Sequence, residues 1–393
     1  MTFVSAIAPL AIPPRAIIAD RVTLPTSAIR SRIAAQARAL VTPGPRLLDE
    51  VECILSVLLA ILFAHLLGAR NVSWAAFSGY MVMRSHLSES LTRGALRIVG
   101  TGLGAAIALI VIPIAARSTP LASIAAALIG GASLYGALTG KRAYAWLFVG
   151  LTFEMILLDS IEHPGRILNE FAETRLLEVV AGTAACLIVN LISQVSARRR
   201  WPAGTSPAPQ LPGGWHPHAA RHAGQAALAL ALLPWLWSWA RIPELAQSAV
   251  TIMAVMLVPI SSMGAGGFAT VSRRIIHRIA GCLAGAMLAG AVLLIAQGNP
   301  SVLIAGTMLG VLLGRHIENG KTGLAYIGTQ FTLAILVTLV PDSYADAAMA
   351  PAWDRLVGIL IGMALLEPVL FAWHLLRPGA RGHAATSTGS LDA

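Results

Sequence analysis

The sequence predicts an all-α, polytopic membrane protein of about 12 transmembrane helices, built as two parallel six-helix repeats. Three observations carry this reading. Of 393 residues, 56% are apolar and only 12% charged, so too few charges exist to cover a water-facing globule of this size. The apolar residues fall in blocks of roughly 17–23, the length that crosses a ~30 Å hydrocarbon layer as a helix. Short motifs of the first half also return in the second half at nearly one spacing.

In chain order, residues 1–46 read as a cytoplasmic tail. Pro9, Pro13 and Pro14 interrupt its apolar start, and no basic stretch precedes it as a signal peptide requires. A first membrane unit, residues 47–196, holds spans near 50–68, 71–84, 98–115, 119–138, 142–159 and 175–196. The second of these is short, as a partly re-entrant segment would be. Residues 197–221, rich in Pro and Gly and too few for a domain, form a cytoplasmic linker. A second unit, residues 222–378, holds spans near 222–240, 245–263, 278–296, 299–314, 322–340 and 355–376, and residues 379–393 form another cytoplasmic tail. All spans are read as helices, because an open sheet in lipid leaves backbone polar groups unpaired.

The basic residues orient these spans. The chain has 26 Arg and 2 Lys against 18 acids, net +10. With both termini cytoplasmic, 22 of the 28 basic residues fall inside and six outside. The outer loops carry Asp159, Glu162, Glu170, Glu173, Asp342, Asp346 and Asp354. That asymmetry is the positive-inside pattern of a membrane protein, so the basic charge calls for no nucleic acid. Cys53, Cys186 and Cys282 lie within predicted spans and imply no disulfide framework.

The repeat is legible in four motifs. Arg97-Ile98-x-Gly100-x-x-x-Gly104-Ala105 returns as Arg278-Ile279-x-Gly281-x-x-x-Gly285-Ala286, and Gly140-Lys141 as Gly320-Lys321. Arg175-Leu176 with Gly182 returns as Arg355-Leu356 with Gly362, and Asp159-Ser160 as Asp342-Ser343. Six spans per unit is an even number, so the halves insert in the same orientation. The paired glycines read as sites of close helix approach.

Val72-Ser73-Trp74-Ala75-Ala76, Leu91-x-Arg93-Gly94-x-x-Arg97-Ile98-x-Gly100-Thr101 and Arg175-Leu176-x-Glu178-x-x-x-Gly182 resemble the six-helix unit of the fusaric acid resistance (FUSC) or aromatic acid exporter family. The resemblance spans roughly 50–196 and more weakly 222–376. It implies an inner-membrane efflux protein for small aromatic or other weak organic acids. In the second half Cys282 stands where the first has Thr101, and no Trp matches Trp74.

Several motifs read as decoys. Gly314 to Thr322 ends in Gly-Lys-Thr, but five residues separate its glycines where a phosphate loop has four. His216-x-His218-x-x-x-His222 reads as a solvated patch beside the membrane, not a metal site. No cofactor, metal site or catalytic constellation is expected. The informative residues are charges within spans, which are costly in lipid. Three carboxyls are candidates for proton coupling: Glu154, mid-span, which otherwise pairs with a buried Arg; Glu178, which otherwise pairs with Arg175; and Glu367, which precedes Pro368, where a break in the helix would open a site. Glu50 and Glu52 read as interfacial. Arg97, Arg278, Arg175 and Arg355 stand at span entrances, where they anchor the helices or bind a carboxylate in transit. Tyr144, Trp146, Tyr326 and Gln330 are candidates to line the path.

The expected activity is secondary, proton-coupled export of a small organic anion by two halves exposing a central cavity alternately. The partners are that anion and the lipid bilayer, with a periplasmic adaptor protein or a second copy of the chain as further candidates. The alternatives are a passive anion channel and a non-transporting membrane scaffold.

Overall fold

The computed structural model describes residues 35–36, 38–202, 214–242, 245–263, 267–320, 323–344 and 348–375. The two expected tails and the middle of the expected linker lie largely outside them. The chain divides into two compact units at Pro43 and Gly44. In the shorter one, residues 38–41 are helical and Thr42 Oγ1 donates to the Arg38 carbonyl at 2.7 Å. Everything below concerns the unit that starts at Gly44.

That unit is all helix among the described residues. Its first half comprises α1 (Pro45–Leu66), α2 (Val72–Val82), α3 (Leu87–Ala115), α4 (Thr119–Thr139), α5 (Ala143–Glu162) and α6 (Leu168–Val195). The second comprises α7 (Pro217–Ala231), α8 (Leu233–Ala240), α9 (Leu245–Met256), α10 (Gly267–Ala296), α11 (Pro300–Asn319), α12 (Ala325–Leu339) and α13 (Ala350–Leu375). Among the described residues seven helices are long and apolar enough to cross a membrane: α3, α4, α5, α6, α10, α11 and α13. The protein is therefore a polytopic α-helical membrane protein.

The departures from the expected spans have local causes. Helix α2 has 11 residues and α9 has 12, about half the rise a ~30 Å layer needs at 1.5 Å per residue. The span expected over 245–263 thus stops as a helix at Met256, because Pro259 disfavours helix in the residues before it. The carbonyls freed at these two stops are taken up internally. Asn190 Nδ2 donates to the Arg84 carbonyl at 2.6 Å, and His222 Nε2 lies 2.9 Å from the Met256 carbonyl. His222 is therefore buried in the bundle rather than solvated, while His218 is exposed. Helix α13 runs through Pro368 without interruption, so the break expected beside Glu367 does not form. Helix α4 carries a π-helical turn over Ala126–Gly130.

The glycine motifs set the packing. A Cβ at Gly100 or Gly104 of α3 would collide with the carbonyls of Ala145 and Val149 on α5. In the second half a Cβ at Gly281 or Gly285 of α10 would collide with those of Ile327 and Phe331 on α12. Gly182 of α6 meets Ala75 on α2 in the same way, and Gly362 of α13 meets Ser248 on α9. Equivalent glycines thus bring equivalent helix pairs into backbone contact, the packing route available where lipid removes the hydrophobic drive between helices.

A buried ionic cluster ties α1 to the far half. Arg315 on α11 donates through Nε to Asp49 at 2.7 Å and lies 3.3 Å from Glu318, while Asn319 Nδ2 donates to Asp49 at 2.9 Å. His316 Nδ1 is 2.7 Å from Glu50, which also faces Arg46 at 3.4 Å. Glu52 accepts from Arg198 and Ser193. Glu50 and Glu52, expected to be interfacial, are buried, Glu50 between Arg46 of its own helix and His316 of α11, and Glu52 against Arg198 beyond α6. The Gly-Lys-Thr decoy supplies part of this cluster from the end of α11. Beyond the spans, Asp342 accepts the Val72 N–H at 2.8 Å, joining the loop after α12 to the start of α2; burial holds its carboxyl above the ordinary range.

Two outcomes follow from this packing. Gly104→Leu should lower the melting temperature in detergent by several degrees, overpacking costing about 1–3 kcal/mol. Gly102→Leu, which meets nothing within 4 Å, should leave it nearly unchanged. Arg315→Met should strand Asp49 and Glu318 and cost about 3–5 kcal/mol. Adding Asp49→Asn should recover part of the loss, read from the same melts.

Candidate functional site

Four helices from each half enclose a central cavity of about 300 Å³, with Glu318 contributed by α11. Helical periodicity selects its lining. On α5 the residues facing it are Tyr144, Leu147, Phe148, Leu151, Thr152 and Met155, spaced as one stripe of a 3.6-residue helix. Tyr326, Thr329, Gln330 and Leu333 form the corresponding stripe on α12. Helix α3 supplies Arg93, Arg97 and Thr101 at four-residue intervals, and α10 supplies Arg274 and Arg278. The half-helix α2 presents Trp74, Phe77, Tyr80 and Met81, followed by Arg84; its counterpart α9 presents only Val250 and Ala254, followed by Leu257. Helices α6 and α13 add Arg175, Glu178 and Arg355.

Of the four arginines placed at span entrances by sequence, Arg97 and Arg278 stand furthest into their helices. Helix α3 begins ten residues before Arg97 and α10 eleven before Arg278, so both lie deep in the bundle. Arg97 and Arg278 are each 1% exposed, Arg355 3% and Arg175 6%. The apolar blocks began later than the helices because the first turns carry polar residues, among them Arg93 and Arg274, which face the cavity.

These guanidinium groups are held mainly by their faces. The Arg97 guanidinium carbon sits 4.1 Å from the Phe148 ring centre and 5.3 Å from that of Phe77. Arg175 lies 4.8 Å from the Trp74 ring and 5.0 Å from Phe171, Arg93 4.9 Å from Tyr144, and Arg274 4.4 Å from Tyr326. Stacking uses the π face of a guanidinium and leaves its in-plane N–H groups available. Some of those N–H groups bind neutral oxygens: Arg97 Nη1 donates to Tyr144 Oη at 3.3 Å, Arg278 Nη1 to Gln330 Oε1 at 2.9 Å, and Arg355 Nη1 to Gln247 Oε1 at 3.5 Å. Among the described residues, Nε of Arg97, Arg175, Arg278 and Arg355 and Nη2 of Arg278 are buried without a hydrogen-bond partner. Seven arginines face the cavity against two glutamates. Of those glutamates, Glu178 lies 3.2 Å from Arg175, and Glu318 accepts from Tyr80 Oη at 2.6 Å while pairing with Arg315.

Of the sequence-predicted candidates, the cavity unites Arg97, Arg278, Arg175, Arg355, Tyr144, Tyr326, Gln330 and Glu178. It does not include Trp146, Glu154 or Glu367. Trp146 is two residues from Tyr144, hence on the opposite face of α5, where it is 44% exposed and covers Gly136. Glu154 is off the stripe and wholly buried at the junction of α4, α5 and α7: a Cβ at Gly130, in the π turn, would meet its carboxyl and Leu230. Neither of its oxygens has a hydrogen-bond partner among the described residues. Glu367 is half-buried and accepts from Ser272 Oγ at 3.1 Å.

Sequence reasoning passed over Arg84, Arg93, Arg274, Glu318 and the rings of Phe77 and Phe148 as site residues. Two of them carried a usable signal. Arg93 and Arg274 are separated by the same 181 residues as Arg97 and Arg278, and each stands one helical turn before its partner. Glu318 has no counterpart in the repeat and lay inside the rejected Gly-Lys-Thr motif, so only its position in the fold identifies it. Among the described residues no group of three or more His, Cys, Asp or Glu is placed to hold a metal ion.

Compared with known proteins, the chain matches the fusaric acid resistance protein-like family over residues 59–189 and 257–366. No curated protein and no solved structure matches it. The two matched stretches contain α2 to most of α6 and α10 to most of α13, which include the cavity-lining helices apart from α9. With more than half of its residues inside that family's pattern, the chain belongs to the fusaric acid resistance protein-like family.

Proposed function

We propose that the protein is an inner-membrane exporter of small organic acids, aromatic ones foremost, with twelve membrane segments in two parallel six-helix repeats and both termini in the cytoplasm. The observation that carries this reading is the buried set of arginines with unpartnered N–H groups around a ring-lined cavity. Buried cations without carboxylates are costly, and an organic carboxylate supplies the missing acceptors while its ring occupies the apolar wall. The two halves would rock about this site and open it to either side alternately. A periplasmic adaptor or a second copy would extend the route.

The sign of proton coupling favours Glu154 over Glu178. Ionised Glu178 pairs with Arg175 and withholds it from the substrate; protonated, it releases Arg175. A proton and an anion therefore bind together there, which is the wrong linkage for protons entering as the anion leaves. Glu154 lies off the cavity at a junction between the halves, where its protonation can bias the packing without competing for the anion. Glu367, bound to Ser272, is the remaining carboxyl within a span. A channel reading draws on the stacked levels of arginine, since membrane potential alone drives an anion outward by about 2.3 kcal/mol per 100 mV.

Inside-out vesicles distinguish the two. Labelled benzoate should accumulate against its gradient, and an uncoupler should abolish this; a flux that never runs uphill would establish the channel instead. Glu154→Gln should lose accumulation while retaining exchange of labelled for unlabelled benzoate, and unchanged accumulation removes Glu154 from coupling. Arg97→Gln or Arg278→Gln should weaken benzoate binding at least tenfold, about 1.4 kcal/mol, by calorimetry on the purified chain. For the topology, Ser343→Cys should be labelled from the periplasmic side by an impermeant maleimide, and Gly140→Cys only from the cytoplasmic side.

A further inference from the structure

We infer that the ligand of the central cavity is a dianion, one small molecule with an acidic group at each end of an apolar, ring-sized body. This rests on the organic-acid reading above and narrows it. The cavity's charge is arranged in two levels. Trp74 and Phe77 are three residues apart on α2, a rise of about 4.5 Å, and Arg175 stacks on the first while Arg97 stacks on the second. In the other half, Arg278 and Arg355 are the repeat equivalents of Arg97 and Arg175, and each donates to a different glutamine, Gln330 and Gln247.

Each level has its own unmet donors. Nε of Arg97 and both Nε and Nη2 of Arg278 are buried and unpartnered among the described residues at one level, and Nε of Arg175 and Arg355 at the other. The two cavity glutamates do not fill this need. Glu178, 3.2 Å from Arg175, offsets charge at that level but makes no hydrogen bond to Nε of Arg175 or Arg355, and Glu318 is engaged by Tyr80 and by Arg315, which stands outside the cavity. A carboxylate carries both oxygens on one carbon and so serves one level. Two separate ring acids would serve both, but about 300 Å³ lies at the small end of ligand pockets and suits one molecule. The wall between is apolar, with Leu147, Leu151 and Leu333 facing the space, and a ring joining two carboxylates fits it. The arginines also stand as i, i+4 pairs, Arg93 with Arg97 and Arg274 with Arg278. Such like-charge pairs repel, and a doubly charged ligand relieves more of that repulsion than a singly charged one.

The experiment is calorimetric titration of the purified full chain in lipid nanodiscs with benzoate, benzene-1,4-dicarboxylate and uncharged benzamide. The expected result is one dicarboxylate per chain, bound at least tenfold more tightly than benzoate, with benzamide weakest. Arg355→Gln should weaken the dicarboxylate at least tenfold and benzoate by a smaller factor, because only the dicarboxylate engages both levels at once. Should that variant fail to fold, the wild-type ligand series alone decides. Equal affinity for benzoate and the dicarboxylate, or two benzoates per chain, overturns the dianion and leaves the organic-acid reading standing. Benzamide binding as well as either anion, or no binding of either, overturns the organic-acid reading itself.

Discussion

A guanidinium group carried out of water must recover both its hydrogen bonds and its charge balance, and this structure meets that demand in two opposite ways. At the ionic cluster around α1, Arg315 and Arg198 receive carboxylates, and the groups pair closely across helices distant in sequence. Around the cavity, Arg97 and Arg175 receive aromatic faces, and Arg278 and Arg355 receive amide oxygens. The first solution is closed and binds the halves together. The second is open, because stacking and neutral acceptors leave charge unbalanced and N–H groups free. The location of stability and the location of binding both follow from which solution each arginine is given.

The two halves share their packing and differ in their chemistry. Equivalent glycines bring α3 onto α5 and α10 onto α12, and they set Arg97 and Arg278 at matching positions. Around that shared frame the side chains diverge. Trp74 and Phe77 face Val250 and Ala254 across the cavity, Phe148 matches Gln330, and Glu178 matches Gly358. The first-half wall is therefore the more aromatic of the two.

The sequence conveyed the helical class, the membrane and most of the arginine positions, because lipid restricts the backbone to a few solutions and the motifs recur. Arg97 and Arg278, read from the recurring motif, both face the cavity. Trp146 was chosen for its residue type although a turn count from Tyr144 already sets it on the far face of α5. Glu50 and Glu52 were read as interfacial since their partners, His316 and Arg198, lie more than 140 residues away. Glu154 was recognised as costly, yet its isolation depends on the π turn of α4 and on Leu230, neither of which leaves a local trace.

Sequence alone, then, determined where helices run and which charges are expensive, because hydropathy, glycine spacing and the cost of burying an ion are local properties. Tertiary structure decided which of those charges are satisfied and which wait for a ligand. That distinction depends on what packs across from each side chain. For Arg315 it is a carboxylate from α1; for Arg355 it is an amide oxygen and a cavity.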